Sequence, residues 1–381
     1  METEAAIVGA GVVGCATALA LARRGASVVV LEAEDAPALA ASGTNSGIVH
    51  TGFDSPPGEL ETELILRAGE LRETVFANLG IPLVRCGALV RPANTSDRSA
   101  IAELAVNATR NGVETFTGDD GVLEVPAEAI TDPVAYTLAL AGAAVELGAV
   151  LRTRSSVTRV EVDGHGLALH GPAERVSCRV AINCAGLQAD EVARLAGDDS
   201  FEIYPRKGEF LVFDPPPGER LERILLPIPT KRTKGVLVFP TLDGKVVAGP
   251  TAVDQEDKDD WTVRSKARDE ILPKAMAMYP PLEHAQQIAA YAGLRPAGRG
   301  VNYVIGQSKS CPRLVNAAAI RSTGLTASLA IAERICRVVA GLGVGLGPER
   351  PLDPASHKDA DPIATTVDAP WWRRVATYRA Q

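Results

Sequence analysis

The chain has 381 residues, 46% hydrophobic and 23% charged, an ordinary globular balance with room for two domains. A net charge of −8 argues against an electrostatic hold on nucleic acid or on an anionic membrane, although a local basic pocket can still take a small anionic substrate. No apolar run reaches the roughly 18–20 residues a membrane span needs, so no transmembrane segment is expected.

Cysteines stand at 15, 86, 178, 184, 311 and 336. None forms CxxC, and none pairs with histidine at metal-ligand spacing. The reading therefore expects no metal site and no disulfide framework, and a reducing, cytoplasmic setting fits. "METEAAIVGAG" has no basic segment before its apolar run, so it does not read as a secretory leader.

Residues 5–8 read as a short apolar strand, followed by Gly9, Gly11 and Gly14 in the spacing G-x-G-x-x-G. Val12 and Val13 open an Ala/Leu-rich helix over 12–24 that stops at Gly25. Residues 27–31, "SVVVL", read as a buried parallel strand ending at Glu32. Gly9 makes the turn, Gly11 lets a pyrophosphate approach the backbone, and Gly14 lets helix and strand pack closely. The pyrophosphate rests on the helix N-terminus, and Glu32 accepts from a ribose. This is a dinucleotide-binding unit, and the motif alone does not separate FAD from NAD.

"SGTNSGIVHTGFD", residues 42–54, is a run of small residues around His50. Residues 58–78 read as an amphipathic helix. "SSVTRV", which holds Val157, leads into a hairpin around Asp163-Gly164. Residues 179–197 repeat the strand, small-residue turn and helix pattern, with Cys184-Ala185-Gly186 as the turn. "EFLVFD", "GVLVFPTL" and "KVVAGPT" read as strands, and 214–220 as a loop. Residues 313–341 read as a strand ending at Arg321, a turn through Ser322, Thr323 and Gly324, and a helix from about Leu325. His165, His170, His284 and His357 read as structural.

The fold class expected is α/β with an α+β second domain. A Rossmann-like dinucleotide-binding domain would take residues 1–80, 131–199 and 296–345. A substrate domain with a large antiparallel sheet would take 81–130 and 200–295, leaving a tail at 346–381. In that tail "PWWRR" reads as a docking contact, because two tryptophans without an amphipathic helix anchor poorly in a membrane.

Six stretches in order, "GAGVVG", "SGTNSGIVHTGFDSPPGEL", "PRKGEFLVF", "KGVLVFPTLDGKVVAGPTAVDQEDK", "AGLRP" and "STGLTAS", make the chain resemble the glycine/D-amino-acid oxidase-like (DAO) flavoproteins. Within them it is most similar to glycerol-3-phosphate oxidases and dehydrogenases, then to L-2-hydroxyglutarate oxidases. The resemblance implies FAD as cofactor. It implies that Ser42, Thr44, Asn45, Ser46 and Gly47 run beneath the flavin and that Val157 passes the adenine. Cys184, Ala185, Gly186 and Gly293 would approach the cofactor again. The N-terminus of the last helix, Gly324, Leu325 and Thr326, would face the flavin C2 carbonyl. His50 would emerge on the substrate side as general base, a role its ordinary pKa range suits. Arg295 would hold the anionic end of the substrate, with Lys258 lining the same pocket, Arg321 as a second cation, and Ser322 and Thr323 facing the substrate. A phosphate carries close to two charges and favours several cations, so the set leans towards a phosphate ester.

The activity implied is oxidation of sn-glycerol 3-phosphate to dihydroxyacetone phosphate. An L-2-hydroxyglutarate oxidase, an amino-acid or amine oxidase and a non-catalytic flavin-binding regulator are the alternatives. A long C-terminal cap and a cysteine-rich tail, seen in membrane-linked relatives, are missing from the pattern. That favours molecular oxygen as electron acceptor, with another acceptor still open.

Overall fold

The computed structural model describes residues 1–92, 97–164, 166–172, 175–229, 234–352 and 370–379. Its first sheet is built on five parallel strands in the order Val150–Arg152, Val28–Leu31, Glu2–Val8, Arg175–Asn183 and Leu314–Ala318. Ala5 lies opposite Val28 and Val180, and Ile182 opposite Val315. Strands covered on both faces must be apolar throughout, and Ala5, Ala6 and Ile7 are fully buried. An antiparallel hairpin, Arg159–Asp163 with Gly166–His170, extends one edge.

Helix α1, Val12–Ala22, follows the first strand and packs against α4, Pro133–Glu146, and α7, Gly324–Gly341. The long helix α2, Leu60–Leu79, covers α7 in turn. Asp132 caps α4, its carboxylate accepting from the N–H groups of Val134 and Ala135, with Pro133 in the first turn.

Among the described residues the second sheet has nine strands and is antiparallel except for one parallel pair, Ile224–Leu226 with Ala88–Val90. Its spine is the long pair Ile203–Asp214 and Gln286–Gly298, in which Phe210 faces Tyr291, Gly208 faces Gly293 and Arg206 faces Arg295. One face carries α3, Arg98–Arg110, and the other α6, Ala267–Met278. The sequence reading gives 81–130 to the domain of the antiparallel sheet and names no helix there. Only Ile101 and Ala108 of α3 are buried, too thin an apolar stripe to stand out.

A third sheet is small: Ile48–Val49, Ala129–Thr131 and Leu83–Val84. Val49 pairs with Ala129 in antiparallel register.

The strand expected to run to Arg321 stops at Ala318, because Ala319 turns the backbone to φ +55°. A short helix, α5 at Ala189–Leu195, follows the Cys184 turn after one 3₁₀ turn. The chain up to Leu352 lies along the end of α1, where Arg23 meets Glu349. The "PWWRR" stretch does form a helix, α8 at Trp371–Arg379. Trp371 and Trp372 sink into the core of the second sheet, with Trp371 edge-on to Tyr291. His165 and His357 lie outside the described residues.

Candidate active site

A cavity of about 640 Å³ opens at the carboxyl ends of the parallel strands, the place where open α/β sheets bind ligands. Gly9 turns the chain out of the first strand at φ +102°, and a Cβ there would lie 2.5 Å from the Cys184 carbonyl oxygen. A Cβ on Gly14 would lie 2.0 Å from the Gly9 oxygen, so Gly14 serves the packing of α1 on its own turn. A Cβ on Gly11 would meet only the Ser42 hydroxyl, at 3.1 Å. That leaves the backbone at the head of α1 open to the cavity.

The cavity wall contains Gly9, Gly11, Val12, Val13, Glu32, Ser42, Asn45, Val157, Cys184, Ala185, Gly186, Arg321, Gly324 and Leu325. The Glu32 carboxylate accepts from the N–H groups of Ala10 at 2.6 Å and Glu34 at 2.9 Å. Burial raises its pKa and those N–H groups partly offset the rise. Ser42 accepts from the Val12 N–H at 2.9 Å. Cys184 is a neutral thiol, pushed up to about 12 by burial. Trp261 and Glu34 complete two parts of the rim, and Tyr378 of α8 donates to Glu34.

Four of the residues expected at the cofactor make contacts within the scaffold. Thr44 bonds the Ala40 and Ala41 carbonyls, and a Cβ at Gly293 would come within 2.8 Å of its hydroxyl. Gly293 therefore makes room for Thr44. Ser46 accepts from the Ile48 N–H. A Cβ on Gly47 would lie 2.3 Å from the Thr131 oxygen, so this glycine lets the small sheet close.

His50 leaves that small sheet, 8% exposed. Its backbone N–H donates to Thr326 Oγ1 at 3.1 Å, which ties it to the head of α7, whose Gly324 and Leu325 line the cavity. Its Nδ1 lies 3.1 Å from Glu128 Oε2. Glu128 is fully buried and also accepts from the Thr51 N–H at 2.7 Å and the Thr51 hydroxyl at 2.9 Å. Burial works to raise this carboxyl, yet His50 and the Thr51 N–H hold it below the usual carboxylate range. Asp54, four residues on, pairs with Lys234 at 2.7 Å. Burial again works upward, but Lys234 and then His50 keep Asp54 below its usual range.

Arg295 is threaded among backbone oxygens. Its Nε donates to Arg206, and its Nη2 to Thr251 at 2.8 Å and Lys207 at 3.3 Å. Burial, with the charges of Arg206 and Arg321, lowers the guanidinium to about 10, still cationic at neutral pH. Thr323 donates to Glu61 at 2.6 Å and meets the Tyr303 hydroxyl, while Ser322 is exposed.

Lys258 shares the cavity wall with Arg321 but is paired with acids. It lines the nucleotide cavity and gives its ammonium to Asp190 and Glu191, each at 2.7 Å. The lysine near His50 is Lys234, which sequence reasoning missed along with Glu128 and Asp54. Asp54 closes the quoted "HTGFD" stretch and Lys234 opens the quoted "KGVLVFP" stretch, whereas Glu128 carries no local signal.

The cavity volume falls in the range of cofactor sites, roughly 300–1,000 Å³. With a glycine-cleared helix N-terminus and the Glu32 carboxylate in its wall, it fits an adenine dinucleotide. Fold and site define a dinucleotide-dependent oxidoreductase.

The chain belongs to the DAO family of FAD dependent oxidoreductases, whose profile matches residues 4–338. It is 28% identical over 344 residues to the glycerol 3-phosphate dehydrogenase of Caloramator mitchellensis, spanning 86% of this chain and 72% of that one. It is 30% identical over 365 residues to the glycerol 3-phosphate oxidase of Mycoplasma pneumoniae, spanning 89% and 95%. The structure of the dithionite-reduced L-alpha-glycerophosphate oxidase from Mycoplasma pneumoniae with FAD bound superposes with a TM-score of 0.85, at 26% identity, over 93% of this chain and 98% of that one. FAD is the cofactor of this protein. Among the described residues no helix is long and apolar enough to cross a membrane.

Proposed function

We propose that the protein oxidises the secondary alcohol of sn-glycerol 3-phosphate to dihydroxyacetone phosphate. The observation that carries this reading is the bond from His50 to Thr326, which sets a nearly buried histidine beside the helix end that lines the cofactor cavity. Two glycerol 3-phosphate enzymes of similar sequence supply the substrate.

FAD, when bound, supplies the two-electron acceptor for the hydride leaving the substrate carbon. His50 accepts the hydroxyl proton as the carbonyl forms, a contribution of about 10²–10⁴-fold for a general base. Arg295 and Arg321, whose charges feel one another, hold the anionic end of the substrate. Ser322 and Thr323 border the same region. Lys234 pairs with Asp54, whose carboxylate also feels His50, and adds a cation on the histidine side. Gly9, Gly11, Val12, Val13, Glu32, Ser42, Asn45, Val157, Cys184, Ala185, Gly186, Gly324 and Leu325 hold the cofactor. Molecular oxygen is the acceptor that completes the cycle, giving hydrogen peroxide, and the setting is the cytoplasm.

The pairing of Lys258 with two acids removes one cation from the set that favoured a phosphate ester. With Arg295 and Arg321 left, the second reading is oxidation of L-2-hydroxyglutarate, each of whose two carboxylates one arginine can hold. Anaerobic mixing of the yellow protein with glycerol 3-phosphate, L-2-hydroxyglutarate and glycine in turn decides between them. Fast loss of the visible flavin band with glycerol 3-phosphate alone is the expected result, and bleaching by hydroxyglutarate alone overturns it. Readmitting air and assaying peroxide tests the acceptor.

A further inference from the structure

The register of the smallest sheet places His50 next to Glu128. With Val49 opposite Ala129, the residue that follows one and the residue that precedes the other are neighbours. Glu128 has no exposed surface, and its two oxygens divide the work. Oε1 takes both Thr51 donors, at 2.7 Å and 2.9 Å, and Oε2 lies 3.1 Å from His50 Nδ1. An ionised carboxylate can only accept hydrogen bonds, so the atom facing Oε2 must be a donor. In a neutral imidazole a protonated Nδ1 leaves Nε2 as the acceptor.

We propose that Glu128 is a positioning residue that holds His50 in its Nδ1–H tautomer, leaving Nε2 as the atom that accepts the substrate's hydroxyl proton. This rests on the reading of His50 as general base. The step balances: the substrate O–H bond breaks, an Nε2–H bond forms, and the resulting imidazolium lies against the Glu128 carboxylate until its proton returns to solvent. The other charges facing the pair are Asp54 on the His50 loop, Lys234 ahead of the strand Leu237–Pro240, and Arg72 of α2. Asp54 and Lys234 are paired with each other, which leaves Glu128 to the histidine. Cys86, also near Glu128, is a neutral thiol pushed up to about 11 by burial.

Glu128→Gln separates positioning from scaffold. If the Gln oxygen stays on the two Thr51 donors, its NH₂ faces Nδ1 and makes that atom an acceptor. The ring proton then sits on Nε2, which has no lone pair left to take the substrate's proton. The opposite flip sets an NH₂ against two donors in a buried place and is the costlier arrangement.

The experiment is ¹⁵N NMR of the FAD-loaded protein, labelled at histidine, at alkaline pH. The His50 signals are identified by their loss in His50→Asn. Wild type is expected to show the Nδ1–H tautomer, Glu128→Gln the Nε2–H tautomer, and Glu128→Asp a return to Nδ1–H. Turnover falls about 10²-fold or more in Glu128→Gln at unchanged flavin content, and recovers in part in Glu128→Asp. An Nε2–H tautomer in wild type overturns the proposal. So does an unchanged Nδ1–H tautomer in Glu128→Gln. If Glu128→Gln does not fold, the wild-type tautomer alone decides. The spectrum needs no substrate, so a failure of glycerol 3-phosphate to bleach the flavin counts against the substrate and not against this role.

Discussion

Lys234 and Asp54, 180 residues apart in the chain, meet at 2.7 Å beside His50. Lys234→Met removes the cation and leaves a buried carboxylate. The protein is expected to lose about 1–3 kcal/mol, less than for a wholly buried pair because the lysine is one-third exposed. KM for the anionic substrate should rise about tenfold or more. The double variant Asp54→Asn/Lys234→Met should regain stability without regaining KM. Thermal melts and steady-state kinetics read the two effects separately, and an unchanged KM in the single variant would remove Lys234 from the substrate site.

The same pair sets an acid dependence. Asp54 has a depressed pKa in the folded state, so its contribution is present above its unfolded pKa and is lost as pH falls through the folded value. The stability difference between wild type and Asp54→Asn should be largest near neutral pH and shrink as pH falls below the ordinary aspartate range. Denaturant curves across that range check it. A difference that grows on acidification contradicts the ion-pair account.

Two glycine-to-alanine changes should go in opposite directions. Gly14→Ala places a Cβ 2.0 Å from the Gly9 oxygen and should cost about 1–3 kcal/mol, with reduced flavin loading by the 450 to 280 nm absorbance ratio. Gly69 lies inside α2, where an added Cβ would meet nothing within 4 Å, and Gly69→Ala should stabilise by roughly 0.5–1 kcal/mol.

Arg295→Lys keeps the charge and loses the fork that spans the Arg206, Lys207 and Thr251 carbonyls. A point charge cannot hold that geometry, so kcat/KM should fall about tenfold or more, chiefly through KM. Wild-type kinetics in Arg295→Lys would reduce the residue to a counter-charge.

What was legible in the sequence was local. The strand, glycine turn, helix and acid from residue 5 to Glu32 are fixed by spacing within one supersecondary unit, and the structure places Gly9, Gly11 and Glu32 in the cavity wall. The site around His50 was legible only in part, because its partners come from distant segments. Glu128 reaches the histidine through strands of two and three residues, too short to carry a periodic signal. Lys258 and Lys234 both stand near strands in polar stretches. What separates them is the acid each meets in space, Asp190 for one and Asp54 for the other. Helix α8 was hidden for a similar reason, since Trp371 and Trp372 are ordered by Tyr291 and its neighbours and not by their own segment.

Trp261 stands in the wall of the cofactor cavity, whereas the chain's other two tryptophans lie in the core of the second sheet. Indole emission falls where oxidised flavin absorbs, so the chain carries its own optical gauge of cofactor uptake. Adding FAD to apoprotein should dim the ultraviolet fluorescence in step with binding, and Trp261→Phe should remove the largest share of that quenching. Loading can then be followed in real time without a dye, a label or a substrate.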